Sequence, residues 1–185
     1  MRRLQLVEFV SVDGVMQGLA NPDGEFSYPG WGRDYPVQPP PQEGATSAFL
    51  FGRRTFEELS QFWPTQPDDN PMAASLNRTQ KYVVSNTLAA PAWQPTAVIS
   101  GDVAAAVTEL KAEGEGSIVV LGSGRLARFL LAAGLVDGLT LFVHPLLLGT
   151  GARLFGDLPG LRRLHLESSA TSELGTLVLT YRVDR

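Results

Sequence analysis

The sequence predicts an α/β domain whose sheet is parallel in its centre and antiparallel at its C-terminal edge. Three observations carry this reading. Short apolar runs of strand type alternate with helical stretches through the middle of the chain, the pattern of a parallel sheet with crossover helices. The run Ser117–Leu121 stops at Gly122-Ser123-Gly124 and passes at once into a helical pattern. The chain then closes on two consecutive strand-type runs, which pair antiparallel when no helix separates them. With 185 residues and no linker, repeat or composition break, residues 1–185 form one domain large enough to bury a core.

Taken in order, Leu4–Val10 is a strand, ended by Ser11-Val12-Asp13-Gly14, where Asp-Gly signals a turn. Residues 20–45 hold six prolines, so they form a long irregular segment. Loops of that length are usually lids, binding loops or inserts; a substrate-side loop and a plain surface excursion both stay open. Ala48–Phe51 is a buried strand, followed by Gly52-Arg53-Arg54-Thr55 and a helix from Phe56 to Phe62 that Pro64 stops. Met72–Thr79 is a short helix, and Lys81–Ser85 and Thr96–Ser100 are strands. Asp102 caps a helix from Val103 to about Glu113, whose Val103, Val107 and Leu110 share a face. Gly114 and Gly116 end that helix, and the one after Gly124 closes at Gly134 in the C′ position. Leu139–His144 is the next strand, Leu148–Gly156 a glycine-rich loop, and strands near Leu161–Glu167 and Leu174–Arg182 complete the sheet.

Composition removes several classes of function. Hydrophobic residues at 44% and charged ones at 18% describe a folded, soluble chain rather than a disordered one. A net charge of −4 without basic runs offers no footprint for nucleic acid. No apolar stretch approaches the roughly 18 residues of a membrane span. The N-terminal apolar run is broken by Gln5, Glu8 and Asp13, so no signal peptide is expected in it. Without cysteine there is no disulfide, thiolate nucleophile or thiolate metal site, and cytoplasmic residence is the default expectation.

Chemistry concentrates at strand-to-helix turns. Gly122-Ser123-Gly124-Arg125-Leu126-Ala127 fits the G-x-G-x-x-G/A dinucleotide pattern. Its glycines allow close approach of a phosphate, and the helix N-terminus offers N–H groups and a positive dipole end. The full fingerprint also needs an acid at the end of the next strand. That strand ends at His144-Pro145, so a Rossmann domain is disfavoured, while a turn with purely packing glycines stays open. Gly52-Arg53-Arg54-Thr55 is a second such turn, able to clamp an anion or simply to open a helix. Val84-Ser85-Asn86-Thr87 is a third, with hydroxyl and amide donors. All three lie at strand carboxyl ends, where open α/β sheets bind ligands, so one long anionic cofactor could touch them all.

Acid and base groups are few. His144 reads as a packed or capping residue and His165 as a surface one, and the two lack metal-ligand spacing, so no metal is expected. Asp13, Asp34 and Glu43 could protonate a substrate, and otherwise read as solvated or turn-forming residues. No Ser-His-Asp arrangement is recognisable.

Ser11-Val12-Asp13-Gly14, Phe51-Gly52-Arg53-Arg54-Thr55-Phe56-Glu57, the Gly122–Leu126 turn, Leu135-Val136-Asp137 and Val143-His144-Pro145-Leu146-Leu147-Leu148-Gly149-Thr150-Gly151 occur in this order. Together they resemble the dihydrofolate reductase-like superfamily, and within it stand-alone relatives of the C-terminal reductase domain of bacterial riboflavin biosynthesis. The resemblance implies a three-layer fold with helices on both faces of the sheet, NADPH as hydride donor, a small-molecule substrate and a homodimer. By the same resemblance Gly52, Arg53, Arg54 and Thr55 match a phosphate-binding turn, and Ser85 and Asn86 the loop near the adenosine ribose and its 2′-phosphate. Leu121, Gly122, Ser123, Gly124, Arg125 and Leu126 match the pyrophosphate turn. Val12 and Asp13 match the segment beside the nicotinamide, and Trp31 and Asp34 fall on the substrate side.

Two departures from the pattern stand out. Folate reductases carry Gly-Gly where this chain has Gly122-Ser123. Their proton-donating acid lies on a helix where this chain has its proline-rich segment, with Asp34 and Glu43 the acids nearest the right distance. Folate reduction is therefore not expected, and no catalytic residue is assigned. The expected activity is NADPH-dependent hydride transfer to a small heterocyclic or carbonyl-type substrate. Its rivals are the 5-amino-6-(5-phosphoribosylamino)uracil reductase step of riboflavin biosynthesis and a non-catalytic nucleotide-binding module.

Overall fold

The computed structural model describes residues 1–18, 26–37, 45–156 and 160–184. Among them the chain order is β1 (Arg3–Ser11), β2 (Thr46–Gly52), α1 (Arg53–Phe62), α2 (Pro71–Arg78), β3 (Gln80–Val84), β4 (Thr96–Ile99), α3 (Val103–Ala112), β5 (Ser117–Leu121), α4 (Gly124–Ala132), β6 (Gly138–His144), β7 (Leu164–Thr171) and β8 (Leu177–Val183), with a 3₁₀ turn at Trp63–Thr65. The strands form one sheet in the order β4-β3-β2-β5-β1-β6-β8-β7. Strands β4 to β6 in that order run parallel, and β8 and β7 close the edge antiparallel, as the alternation of elements predicts.

Period-2 alternation assigns each strand's side chains to two layers. On one face Leu4, Leu6, Ala48, Leu50, Ile118 and Val120 pack under Val107 of α3 and Leu126, Ala127 and Leu130 of α4. On the other, Val7, Phe49, Phe51, Val83 and Val119 pack under Phe56 of α1 and Leu76 of α2. The helices thus sandwich the sheet. Asp102 caps α3 through Ala105 N at 3.0 Å. Gly134 ends α4 at φ +68, with Gly134 N donating to Leu131 O and Leu135 N to Leu130 O, which is a Schellman stop.

Several boundaries differ from expectation by one to four residues, among them the start of β8, at Leu177 rather than Leu174. Helix α1 begins at Arg53 rather than Phe56, because β2 runs directly into it without a loop. Strand β7 spans Leu164–Thr171 rather than Leu161–Glu167. Every residue of β7 is exposed, so no apolar alternation marks it, and the Ser172–Thr176 turn sets its register with β8 through Ser172 N to Thr176 O and Gly175 N to Ser172 O.

One buried residue breaks the hydrophobic pattern. Glu8, in the middle of β1, is 2% exposed, and its Oε1 has no hydrogen-bond partner. Desolvation raises its pKa well above the ordinary 4.5, so the native state holds the proton more tightly than the unfolded chain does. Stability from this group is therefore complete below about pH 4.5 and is lost as pH rises through the raised value. Replacing an unsatisfied buried polar group by an apolar one of similar size removes a penalty of about 1–3 kcal/mol. Glu8→Leu should accordingly melt higher than the parent at pH 8 and lose the downward slope between pH 5 and pH 8. Equal slopes in thermal melts across that range would refute the assignment.

Candidate functional site

The sheet order brings the three turns together. In the sequence β-β-α pattern they are scattered over residues 52 to 124, but β3, β2 and β5 are neighbours in space. Their carboxyl ends carry Ser85, Gly52 and Gly122 in that order, and β1, next in line, ends at Ser11-Val12-Asp13. At the usual strand spacing, the row from β3 to β1 spans about 14 Å. Moving outward, the chain passes from β2 to β3 to β4; it then returns to fill the gap beside β2 with β5. That reversal is where open α/β sheets form their ligand crevice.

Two helix N-termini meet at this point. Helices α2 and α3 are capped by the side chains of Asn70 and Asp102. Neither α1, with Gly52 at its N-cap, nor α4, with Ser123 there, has a side-chain cap. The two ends are joined instead: Gly52 N donates to Ser123 Oγ at 2.8 Å, and a Cβ on Gly122 would lie 3.0 Å from Thr55 Cγ2. Two dipoles therefore point their positive ends into one place, where an anion would be stabilised. Thr55, one candidate for capping α1, packs against the Gly122 turn and does not cap.

Ser123 is the one non-glycine described residue with positive φ, at 69°, and it follows Gly122 at φ 60°. A left-handed serine costs roughly 1 kcal/mol relative to glycine, and its hydroxyl offsets that by satisfying Gly52 N–H. Ser123→Ala keeps the strain and orphans the amide, so it should lower stability by about 1–2 kcal/mol, whereas Ser123→Gly, which relieves the strain, should lose less. Thermal unfolding in which the alanine variant matches the parent would show that the bridge contributes nothing.

The remaining cofactor-side residues fall as follows. Arg53 and Arg54 lie in the first turn of α1 and pair with Glu57 and Glu58 at 3.7 and 3.3 Å on the surface. Pairs of this kind are worth only about 0.3–0.5 kcal/mol, so neither ion pair by itself holds its guanidinium strongly in place. Ser85 Oγ accepts from Thr87 N and Leu88 N, and Asn86 Oδ1 accepts from Gly101 N, so both shape the third turn. Arg125 is exposed, Leu121 partly buried, and Leu126 points into the core; Leu126 thus brings only its backbone to the turn. Gly124 leaves room for Met16, whose Sδ would lie 2.5 Å from a Cβ there. Val12 is 62% exposed at the end of β1.

Asp13 ties the end of β1 to the 145–156 loop. It accepts from Ser11 Oγ at 2.6 Å and from Leu148 N and Gly149 N at 3.1 and 2.9 Å. The Ser11 hydroxyl first, then the two amides, lower its pKa from 3.8 to about 2. It is therefore a carboxylate at neutral pH and cannot serve as the proton donor to a substrate.

On the substrate side, Trp31 Nε1 donates to Gln17 O, and the Trp31 ring meets His144 edge-on at 5.4 Å. Asp34 is exposed on the same segment, and it is Tyr35 that reaches His144, at 5.3 Å. Glu43 lies outside the described residues. His144 is buried, as expected, with Nδ1 2.8 Å from Thr176 Oγ1. Phe9, Trp31 and Tyr35 surround it, an arrangement with no local signal because those positions lie far apart in the chain. Among the described residues no group of three or more His, Cys, Asp or Glu side chains could hold a metal, and no helix is long and apolar enough to cross a membrane.

Comparisons with known proteins bear on the family and the fold. The family model of the RibD C-terminal domain matches residues 2–179. The uncharacterized protein YyaP of Bacillus subtilis (strain 168) is 26% identical over 191 residues, covering 97% of this chain and 94% of YyaP. A Shewanella sp. PV-4 protein ascribed to riboflavin biosynthesis superposes with a TM-score of 0.76 at 20% identity, over 99% of both chains. Dihydrofolate reductase from Enterococcus faecalis, solved with NADP(H), gives a TM-score of 0.62 at 14% identity, over 99% of this chain and 97% of its own. The deaminase/5-amino-6-(5-phosphoribosylamino)uracil reductase of Thermotoga maritima gives 0.64 at 11% identity, over 99% of this chain and 57% of that longer one. The fold is that of the dihydrofolate reductase-like proteins.

Proposed function

This chain belongs to the RibD C-terminal domain family, and we propose that it is an NADPH-dependent reductase acting on a small heterocyclic or carbonyl-type substrate. The observation that carries the proposal is the meeting of two uncapped helix N-termini, α1 and α4, bridged by Gly52 N–H and Ser123 Oγ. A pyrophosphate is the anion that two adjacent N-termini suit best, since each can take one phosphate. Arg53 and Arg54 would clamp the phosphates at the α1 side, and the Ser85-Asn86 turn would flank the adenosine end. Val12, apolar and exposed at the end of β1, would lie against the nicotinamide and be shielded by it. The bound nicotinamide would supply the hydride; the residues of this chain position it and exclude water.

Calorimetry with NADPH and NADH tests the reading. Losing one charge-assisted phosphate contact removes about 1.5–3 kcal/mol, so NADH should bind at least tenfold more weakly than NADPH. An absence of NADPH binding at millimolar concentration would sink the proposal. NADPH oxidation with a panel of pterins, pyrimidines and carbonyl compounds then separates a reductase from a silent binding module. We further propose a homodimer formed through the exposed edge strand β7, which carries Leu164 and Leu166. Sedimentation should give twice the 20.0 kDa chain mass, and a monomer would remove that part.

A further inference from the structure

Beside the proposed cofactor row, the carboxyl end of β6 holds a polar group that the fold does not use. His144 is 1% exposed. Its Nδ1 meets Thr176 Oγ1 at 2.8 Å, while Nε2 has no hydrogen-bond partner among the described residues. Aromatic rings surround it: Phe9 stacked at 5.9 Å and 10°, Trp31 edge-on at 5.4 Å, and Tyr35 tilted at 5.3 Å. Gly32 lies against this nitrogen: a Cβ there would stand 3.6 Å from Nε2. Phe9 is also 38% exposed although it lies on the central strand, so an aromatic surface is left uncovered next to the imidazole. His144 lies opposite Ser11 on the neighbouring strand, one strand beyond the proposed nicotinamide position.

We propose that His144 Nε2 binds and protonates the heteroatom of the substrate's C=O or C=N bond, with a flat, uncharged ring held in the box of Phe9, Trp31 and Tyr35. This rests on the reductase reading above. The titratable and charged groups around the box limit it to a neutral ligand. Tyr35 is the titratable group in contact from the 29–37 segment, whose Arg33 and Asp34 are exposed. The β7–β8 turn presents Thr176, with Glu173 exposed; the end of β1 presents Ser11, whose hydroxyl is held by Asp13.

As hydride arrives at the substrate carbon, the carbon–heteroatom π bond breaks and its electron pair moves to the heteroatom. That atom takes the Nε2 proton of the imidazolium, and the neutral ring is reprotonated from water. Thr176 is a positioning residue, since a hydroxyl can donate to Nδ1 of the neutral ring or accept from it once charged. Burial lowers the pKa of His144 below 6.5, so turnover should decline as pH rises through the lowered value.

Three measurements decide the matter. In the parent protein, lumazine (a neutral bicyclic pteridinedione) added with NADP⁺ should shift the imidazole NMR signals of His144 saturably and leave those of exposed His165 in place. With a compound that the panel shows to be turned over, His144→Asn should lower kcat at least 100-fold and abolish the pH limb, with NADPH affinity changed less than twofold. Thr176→Val should move the pH limb and lower kcat about tenfold, with KM unaltered. An unshifted His144 signal, or an unchanged pH profile in His144→Asn, overturns the proposal. Failure of NADPH binding in the parent would count against the reductase reading instead, and a lumazine-induced shift would then still support the box.

Discussion

Lys111→Met should destabilise the protein by about 3–5 kcal/mol, the usual consequence of leaving a buried charge without its partner. Lys111 Nζ lies 2.6 Å from Asp137 Oδ2, with side-chain exposures of 5% and 12%, and donates to Leu135 O at 2.6 Å as well. Asp137 in turn accepts from Leu4 N at 2.8 Å, its own N donates to Leu4 O, and its carbonyl accepts from Val183 N. One ion pair thus ties the end of α3 to the start of β1, the entry to β6 and the end of β8. For a chain of this size the loss corresponds to a fall in Tm on the order of 10 °C. Removing both charges in Lys111→Met/Asp137→Asn should lose less than the two single losses added together, since each single variant strands the other charge. Strict additivity in chemical unfolding would show that the pair is not coupled. The pair lies at the foot of the sheet, away from the crevice, so NADPH affinity below the melting range should be unaffected.

This pair also marks the border of what the sequence discloses. Leu135-Val136-Asp137 stands out as a motif, but nothing in the sequence says that Asp137 needs Lys111, 26 positions earlier and on a helix where a lysine ordinarily reaches solvent. Lys81 teaches the same lesson. It opens a strand in the pattern, yet it is fully buried, with Nζ donating to Leu76 O and Thr79 O at the end of α2 and standing 4.8 Å from the Trp93 ring centre. Charged side chains are assigned to the surface by composition, and only the assembled fold supplies the carbonyls and partners that let them enter.

The elements themselves were legible because their signals are local. Asp102 at an N-cap, Gly134 at a C′ position and the apolar run Ser117–Leu121 each act within a few residues. The crevice was legible in part, since each of the three turns can be recognised alone and the carboxyl-end rule groups them. Their adjacency needed the β3-β2-β5 order, which follows from crossovers and not from local pattern. The Asp13 tie to Leu148 and Gly149 spans about 135 positions, and the box around His144 draws on β1, the 29–37 segment and the β7–β8 turn. Contacts that distant leave no periodic trace. They belong to loops held by a rigid sheet, which is where function concentrates.

Gly122→Val should abolish NADPH binding and also weaken the fold, and the two effects can be separated. Gly122 sits at φ 60°, which a β-branched residue adopts only under strain, and its new Cβ would stand 3.0 Å from Thr55 Cγ2. A stability loss of about 2 kcal/mol follows, taking the left-handed penalty at its upper end. That loss says nothing about the cofactor, because any packed turn would suffer it. The diagnostic quantity is the shift that NADPH adds within each protein. At a ligand concentration 100 times Kd the parent should gain about 2.7 kcal/mol, seen as a rise in Tm, while the valine variant should gain nothing. Gly124→Ala is the counterpart. Its backbone is already helical and the nearest obstacle is the flexible end of Met16, so folding should be nearly intact and the NADPH shift reduced rather than absent. A full NADPH shift in Gly122→Val would mean that the Gly122-Ser123 turn packs the sheet against α1 and does nothing more. The meeting of the two helix N-termini would then be a feature of folding alone, and the reductase reading would have to find its phosphate site elsewhere.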